Sequence, residues 1–292
     1  MKNVYVLGSL NTDLVISSPY IPKSGETVTG SNFFTARGGK GANQAVACAR
    51  LGGNVLMCGC VGNDAFGLTA VEALKQEGIG VSAIRAVDGV STGTAVIIVT
   101  DGDNRIILDK GANAFINKFD IDMFLKEAKA GDIFLTQLEN PIDVIGYGLC
   151  KAREKGMYVI LNPAPADAKI KEYLGYCDLV VPNESEAEIL GGAEELSKIV
   201  GTLLVTLGGK GFLIKHNGDE KHYPCISVDV IDTTAAGDTL CGGLCVELSK
   251  GKSLRDAALF GSMAASIACT KKGAQTSIPT RQEVERYIKE KM

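Results

Sequence analysis

The stretch Asp232-Thr233-Thr234-Ala235-Ala236-Gly237-Asp238 gathers the residues of this sequence best suited to chemistry. Ala235, Ala236 and Gly237 carry almost no side chain, so an anion can approach the backbone N–H groups closely. The apolar run Leu240–Leu248 that follows predicts a buried helix, and an open helix N-terminus with its dipole attracts phosphate. Asp238 is at odds with such a cradle unless its carboxylate takes a proton from a nucleophile. Asp and Thr also cap helices routinely, so on this stretch alone capping by Thr234 or Asp238 stands beside the chemical reading.

Further polar residues fall where predicted strands end. Val4–Leu7 reads as a first strand, with Asn11 and Asp13 spaced to project from one side of the extended chain beyond it. Glu139 follows the apolar run Ile133–Thr136, Asn183 and Glu186 follow Leu179–Val181, and Gly208-Gly209-Lys210-Gly211 follows Leu203–Leu207. Each alone suits a turn or cap. Together they mark the carboxyl ends of successive strands, where open α/β sheets bind ligands, and they suggest a cleft with a polyol end and a phosphate end.

The elements that must hold these residues alternate. Helices are expected over 44–51, 66–78, 120–129, 142–155, 166–174, 184–190, 240–248, 253–270 and 282–291, with strands between them. That pattern predicts βαβ units and a mostly parallel sheet covered on both faces. Leu14–Arg37, broken by Pro19, Pro22 and Gly25, is poor helix and poor core material and suggests an exposed flap. Ser91–Thr100 and Arg105–Leu108 flank Asp101-Gly102-Asp103-Asn104, a hairpin signal. Phe212–Lys215 and Glu220–Tyr223 flank Asn217-Gly218 in the same way. The expectation is one α/β core, 1–12, 38–90 and 111–292, with a discontinuous β lid, 13–37 and 91–110.

Composition narrows the class. Of 292 residues 35 are glycine, well above the usual ~7%, which calls for many tight turns and close backbone approaches. A net charge of −4 carries no electrostatic footprint for nucleic acid. No apolar run reaches the ~18 residues a membrane helix needs, and the N-terminus reads as a strand and not as a signal peptide. Nine cysteines in a chain of this length suggest a reduced, cytoplasmic enzyme. Cys58 and Cys60 form a lone C-x-C, too little for zinc; Cys241, Cys245 and Cys269 lie in apolar helical runs as core residues. There is no Walker A motif, since Gly41 follows Gly39-Lys40, no G-x-G-x-x-G after the first strand and no G-x-S-x-G elbow.

Four segments carry a resemblance: Gly8-Ser9-Leu10-Asn11-Thr12-Asp13, Gly38-Gly39-Lys40-Gly41-Ala42-Asn43-Gln44, Pro182-Asn183-Glu184-Ser185-Glu186 and the Asp232–Asp238 stretch. They resemble the signatures of the ribokinase-like (PfkB) carbohydrate kinases, and the match runs on to Lys272-Gly273-Ala274-Gln275. The G-A-N-Q and K-G-A-Q versions are most similar to the ribokinase branch. The resemblance implies a three-layer α/β/α sandwich with a small β-sheet lid, and ATP-dependent phosphorylation of a sugar hydroxyl, in that branch the 5-hydroxyl of ribose. Related kinases of deoxyribose, fructose or nucleosides such as pseudouridine, and a non-catalytic sensor on the same fold, are the alternatives.

The same resemblance implies roles. Asp238 would be the base and Ala235, Ala236 and Gly237 the anion hole. Asn11, Asp13, Gly39, Lys40, Asn43 and Glu139 would hold the sugar, where a solvated Lys40 is the plain alternative. Thr206, Gly208, Gly209, Lys210 and Gly211, with Asn183, Gly237 and Ser262, would hold ATP. Glu186 would organise Mg²⁺ through water. Asp232, Thr234, Ala268, Lys271, Gly273 and Ser277 would surround K⁺, several of them through carbonyls. The family's lid often mediates a dimer, so the resemblance implies a homodimer through 14–37 and 91–108, with a solvated flap on a monomer as the alternative. Two departures stand out: Asp109-Lys110, where the family is more apolar, and a trimmed segment at Gly191–Gly201.

Overall fold

The computed structural model describes residues 1–100, 103–216 and 218–291. Strand β1 (Asn3–Leu7) lies inside a large sheet, and the chain then leaves that sheet at once. β2 (Asn11–Ser17) and β3 (Ser31–Gly38) build half of a smaller sheet before α1 (Lys40–Arg50) returns to the larger one. β4 (Asn54–Gly62), α2 (Ala65–Gln76) and β5 (Gly80–Val87) follow, and a second excursion, β6 (Gly93–Thr100) and β7 (Asp103–Asp109), completes the small sheet. Helices and strands then alternate through α3 (Lys118–Phe124), β8 (Ile133–Thr136), α4 (Ile142–Glu154), β9 (Tyr158–Leu161) and β10 (Leu179–Val180). They continue through α5 (Glu184–Ile189), α6 (Ala193–Ile199) and β11 (Thr202–Thr206). The pair β12 (Phe212–His216) and β13 (Asp219–Tyr223) leads to α7 (Ala236–Ser249), α8 (Leu254–Ala268) and α9 (Arg281–Lys291).

The large sheet runs β13-β12-β11-β10-β9-β8-β1-β4-β5. It is parallel except at β11–β12 and β12–β13. Alternation along the strands divides its side chains between two cores. Val4 and Val6 pack with α1, α7 and α8, whereas Tyr5 and Leu7 pack with α3 and α4. This is the expected three-layer arrangement. The small sheet runs β3-β2-β6-β7 and draws its strands from 11–38 and 93–109. Both expected hairpins pair as antiparallel strands, although Asp101, Gly102 and Asn217 of their turns lie outside the described residues.

The differences from expectation have physical reasons. α1 and α7 begin at Lys40 and Ala236, four residues ahead of their apolar runs, because their first turns, Lys40–Asn43 and Ala236–Thr239, are made of small and polar residues that show no apolar periodicity. β5, absent from the expected strands, is the sheet's edge, half-exposed along its length and without clean alternation. α6 is a short helix in the segment read as trimmed. The expected helix at 166–174 is a tighter 3₁₀ stretch, Ala168–Tyr176, begun by the Asp167 carboxylate accepting from the Lys169 amide.

Candidate active site

α7 starts at a strained point. Ala235 has φ 60°, a left-handed backbone that among the described non-glycine residues only Asn32 shares; holding an alanine there costs about 1 kcal/mol. The bend opens the helix end. The Ala236 amide turns back to the Thr233 carbonyl at 3.2 Å, while the amides of Gly237 and Asp238 donate to no protein acceptor among the described residues. Two adjoining cavities of about 350 and 200 Å³ share Thr206, Thr233, Ala236 and Gly237 in their walls. A methyl placed on Gly237 would meet no atom within 4 Å. The glycine is therefore not demanded by protein packing, and it leaves free the space where the cavities join.

Asp238 stands in the smaller cavity, 6% exposed. Its Oδ2 accepts from Asn43 Nδ2 and its Oδ1 from Gln44 Nε2, both at 3.0 Å. Burial pushes its carboxyl up, opposed by the Lys40 charge and by these two amide donors. A carboxylate so balanced is suited to hold a negative charge until it accepts a proton. Lys40 lines the same cavity; burial works against its charge, but the carboxylates of Asp238, Glu139 and Glu186 outweigh it and raise its pKa. A solvated surface role for Lys40 does not fit that setting.

The expected polyol end lies around the β1–β2 junction. Glu139 Oε2 accepts from the Ser9 hydroxyl and, at 3.0 Å, from the Lys40 amide, which ties the β8 end to the start of α1. Gly39 has φ 89°, and a Cβ there would lie 2.8 Å from both the Asn11 amide and the Ser9 carbonyl, so only glycine fits. A Cβ on Gly38 would lie 2.5 Å from an Asp13 carboxylate oxygen. Burial, with the Glu139 charge nearby, pushes the Asp13 carboxyl up to about 6. Asn113 clamps the junction: it accepts from the Leu10 amide at 2.9 Å and donates to Asn11 Oδ1 at 2.7 Å. Asp109 pairs in register with Thr94, which places it on the face of the small sheet opposite to Asp13; there it accepts from the Gly111 amide.

The larger cavity forms the other end. Thr206, Gly208, Gly209, Gly211 and Ser262 line it. Lys210 stands outside that lining with its side chain exposed, so of the expected nucleotide loop the backbone, and not this ammonium, faces the cavity. Asn183 and Glu186 form a capping box on α5, each side chain meeting the other's amide at 2.8 Å. The motif thereby fixes the Glu186 carboxyl at the smaller cavity, where burial pushes its pKa up. Asp232 accepts from Thr234 N at 2.9 Å, Thr234 Oγ1 at 2.6 Å and Gly273 N at 2.8 Å. Burial opposes its charge, but these donors hold its carboxyl below the usual range. Ala268, Lys271 and Ser277 lie in and after the end of α8. Lys271 Nζ is engaged by Glu283, and the Ser277 hydroxyl by the Ala274 carbonyl. Cys269 lines the larger cavity and is only part-buried, a correction to its expected place in the core.

Three residues of this site went unread in the sequence. Gln44, Asn162 and Gln137 form a buried amide network against Asp238. Asn162 and Gln137 follow β9 and β8, so the strand-end rule applied to Glu139 reaches them as well. Gln44 had one signal, an amide side chain within an alanine-rich apolar helix.

Fold and site together define a class, kinases that transfer a phosphoryl group to a sugar hydroxyl. The model of the pfkB family carbohydrate kinases matches residues 1–281. The chain belongs to that family. It is 42% identical to the ribokinase of Haemophilus influenzae over 98% of both chains. It is 34% identical to the deoxyribokinase of Salmonella typhimurium, also over 98% of both. The structure of Arabidopsis thaliana ribokinase complexed with ribose and ATP superposes with a TM-score of 0.88, at 31% identity over 99% of both chains.

Proposed function

We propose that the chain is an ATP-dependent ribokinase that phosphorylates ribose at its 5-hydroxyl. The observation that carries this reading is Asp238, buried between two amide donors beside a helix N-terminus where two cavities join. The sugar would lie against Asn11, Asp13, Gly39, Asn43 and Glu139, with its 5-hydroxyl at Asp238. ATP would occupy the larger cavity, its base near Ser262 and its phosphates over Thr206 to Gly211, reaching Asn183 and Gly237. As the hydroxyl oxygen bonds to the γ-phosphorus and the bond to the leaving oxygen breaks, the hydroxyl proton passes to Asp238. The uncovered amides of Ala235 and Gly237, with that of Ala236 between them, would then face the charge on the transferring group, and Lys40 would add a cation beside it.

The donor sets suit two ions. Among the described residues no three carboxylate, thiol or imidazole groups cluster as a metal cage. Glu186 at the smaller cavity suits Mg²⁺, which keeps most of its waters and is held largely by phosphate. Asp232, kept ionised, with Thr234 and nearby carbonyls suits K⁺, a hard cation taking oxygen ligands. Mg²⁺ would supply charge neutralisation on the phosphates, and K⁺ would strengthen the field of the helix N-terminus.

A homodimer through the small sheet extends the reading. The strand register puts Phe34, Ile106 and Leu108 on one face with Asp13, and they are 54%, 60% and 41% exposed. Such an apolar face above a binding cleft suits a second copy of the same lid. Nine free thiols suit a reducing cytoplasm, and no helix among the described residues is long and apolar enough to cross a membrane.

An ATP-consumption screen over ribose, deoxyribose, fructose, adenosine and pseudouridine tests the assignment, with ribose expected to give the highest kcat/KM. The deoxyribokinase relative favours deoxyribose as the second reading, and a preference for it would replace the first. Asp238→Asn should lower kcat by about 10³-fold with the fold kept; turnover near that of the native enzyme would remove Asp238 as the base.

A further inference from the structure

Gln44 is fully buried in the first turns of α1 and lines neither cavity. A primary amide presents a donor end and an acceptor end, so its orientation decides what it offers a neighbour. Here the partners fix that orientation from two sides. The Val181 carbonyl can only accept, so it holds the Asn162 amide nitrogen at 2.8 Å and turns Asn162 Oδ1 toward Gln44. The Asp238 carboxylate likewise only accepts while ionised. Gln44 Nε2 has two hydrogens and serves both, Asn162 Oδ1 and Asp238 Oδ1, each at 3.0 Å. Its own oxygen is then left for Gln137 Nε2, 2.6 Å away.

We propose that Gln44 is a positioning residue for phosphoryl transfer, held by Gln137 and Asn162 in the one amide orientation that donates to Asp238. The proposal rests on the reading of Asp238 as the base. It links that base, carried on α7, to the carboxyl ends of β8, β9 and β10 through Gln137, Asn162 and Val181. The consequence is directional. Gln44 occupies one lone pair of Oδ1 and Asn43 one of Oδ2, so the carboxylate cannot swing, and the proton it accepts must land on an oxygen direction left open toward the cavity. Other charged or titratable groups acting on Asp238 are Lys40 on α1, Glu139 after β8, Glu186 on α5 and Cys241 one turn along α7. They touch the same charge but do not fix the plane of the carboxylate.

The test compares kcat–pH profiles of the native enzyme with Gln44→Leu, Gln44→Glu and Gln137→Met. An amide donor to a buried carboxylate favours its ionised form, so Gln44→Leu should move the acid limb of kcat upward by about one to two pH units. The KM values for sugar and ATP should stay close to native, since Gln44 lines neither cavity. Gln44→Glu, the same shape bearing a second carboxyl, should move the limb at least as far. Gln137→Met leaves Gln44 in place but releases its oxygen, and should move the limb in the same direction by less. Gln137→Met removes a single side-chain hydrogen bond and carries the test if the Gln44 variants do not fold. An acid limb unmoved in every folded variant overturns the proposal, even where stability falls. Asp238→Asn separates this from failure of the base itself: if that variant turns over normally, the reading of the site fails first.

Discussion

Gly237→Ala sets stability against rate at a single atom. The added methyl meets nothing within 4 Å, so it strains no packing. Gly237 lies in the first turn of α7, where replacing glycine by alanine favours the helix by up to about 1 kcal/mol. For a chain of this size that corresponds to a rise in Tm of roughly 2–4 °C. Yet Gly237 lines both cavities, and a methyl there should hold an incoming phosphoryl oxygen away from its amide. Loss of one preorganised donor of this kind lowers kcat by about 10²–10³-fold. Thermal melting by circular dichroism and a coupled ADP-release assay read the two effects separately. The expected result is a variant as stable as the native protein, or more so, that is nearly inactive. A kcat within about threefold of native, in a protein of unchanged Tm, would show that the transferring group does not pass over Gly237 and would refute the anion-hole reading.

The other predictions concern other parts of the site. The Asp13 carboxyl rises from 3.8 to about 6 in the fold. The folded state thus binds its proton more tightly than the unfolded state, and stability falls as pH rises from 3.8 through 6. The difference of about 2.2 pH units is worth about 3 kcal/mol, so Asp13→Asn should stabilise the protein in urea melts at pH 8 but hardly at pH 4, while raising the sugar KM. Gly242→Ala should act in the opposite sense to Gly237→Ala. Its Cβ would lie 2.4 Å from Ala47 Cβ, forcing α7 off α1 at a cost of about 1–3 kcal/mol and drawing Asp238 away from Asn43 and Gln44. Tm and kcat should fall together; an unchanged kcat would show that the α1–α7 distance does not govern the base. Exchanging K⁺ for Na⁺ at constant ionic strength should slow turnover, and equal rates in the two salts would remove the cation from the reading.

Much of this architecture is legible in the residues because the core obeys simple periods. Val4, Tyr5, Val6 and Leu7 alternate between two hydrophobic layers as a central parallel strand must, and the apolar runs of α7 and α8 mark buried helices. The site is legible where its residues break those periods at strand ends, as Asp13, Glu139 and Asn183 do. Gln44 was hidden for a physical reason. Its role depends on Asn162 and Gln137, more than ninety positions away, and no local spacing encodes that meeting. Lys210, expected in the nucleotide loop, is exposed at the turn Gly208–Lys210 and outside the lining of the larger cavity.

The Asn113 clamp has a consequence for how sugar choice is made. One small sheet is fed by two excursions from distant parts of the chain, and their roots meet at this asparagine, which grips Leu10 and Asn11 just where the second excursion has ended. Gly93, where that excursion starts, is packed so closely that a Cβ would lie 2.2 Å from the clamp's amide nitrogen. Asn11, Gly38 and Gly93 pair side by side at that root, so any movement of the sheet relative to the core would carry Asp13 with it. With Asp13 on the sugar as proposed, closure of the sheet and grip on the sugar would be a single coordinate. A sugar lacking one hydroxyl at Asn11 or Asp13 would then be discriminated chiefly by leaving the sheet ajar, with kcat falling by more than binding does.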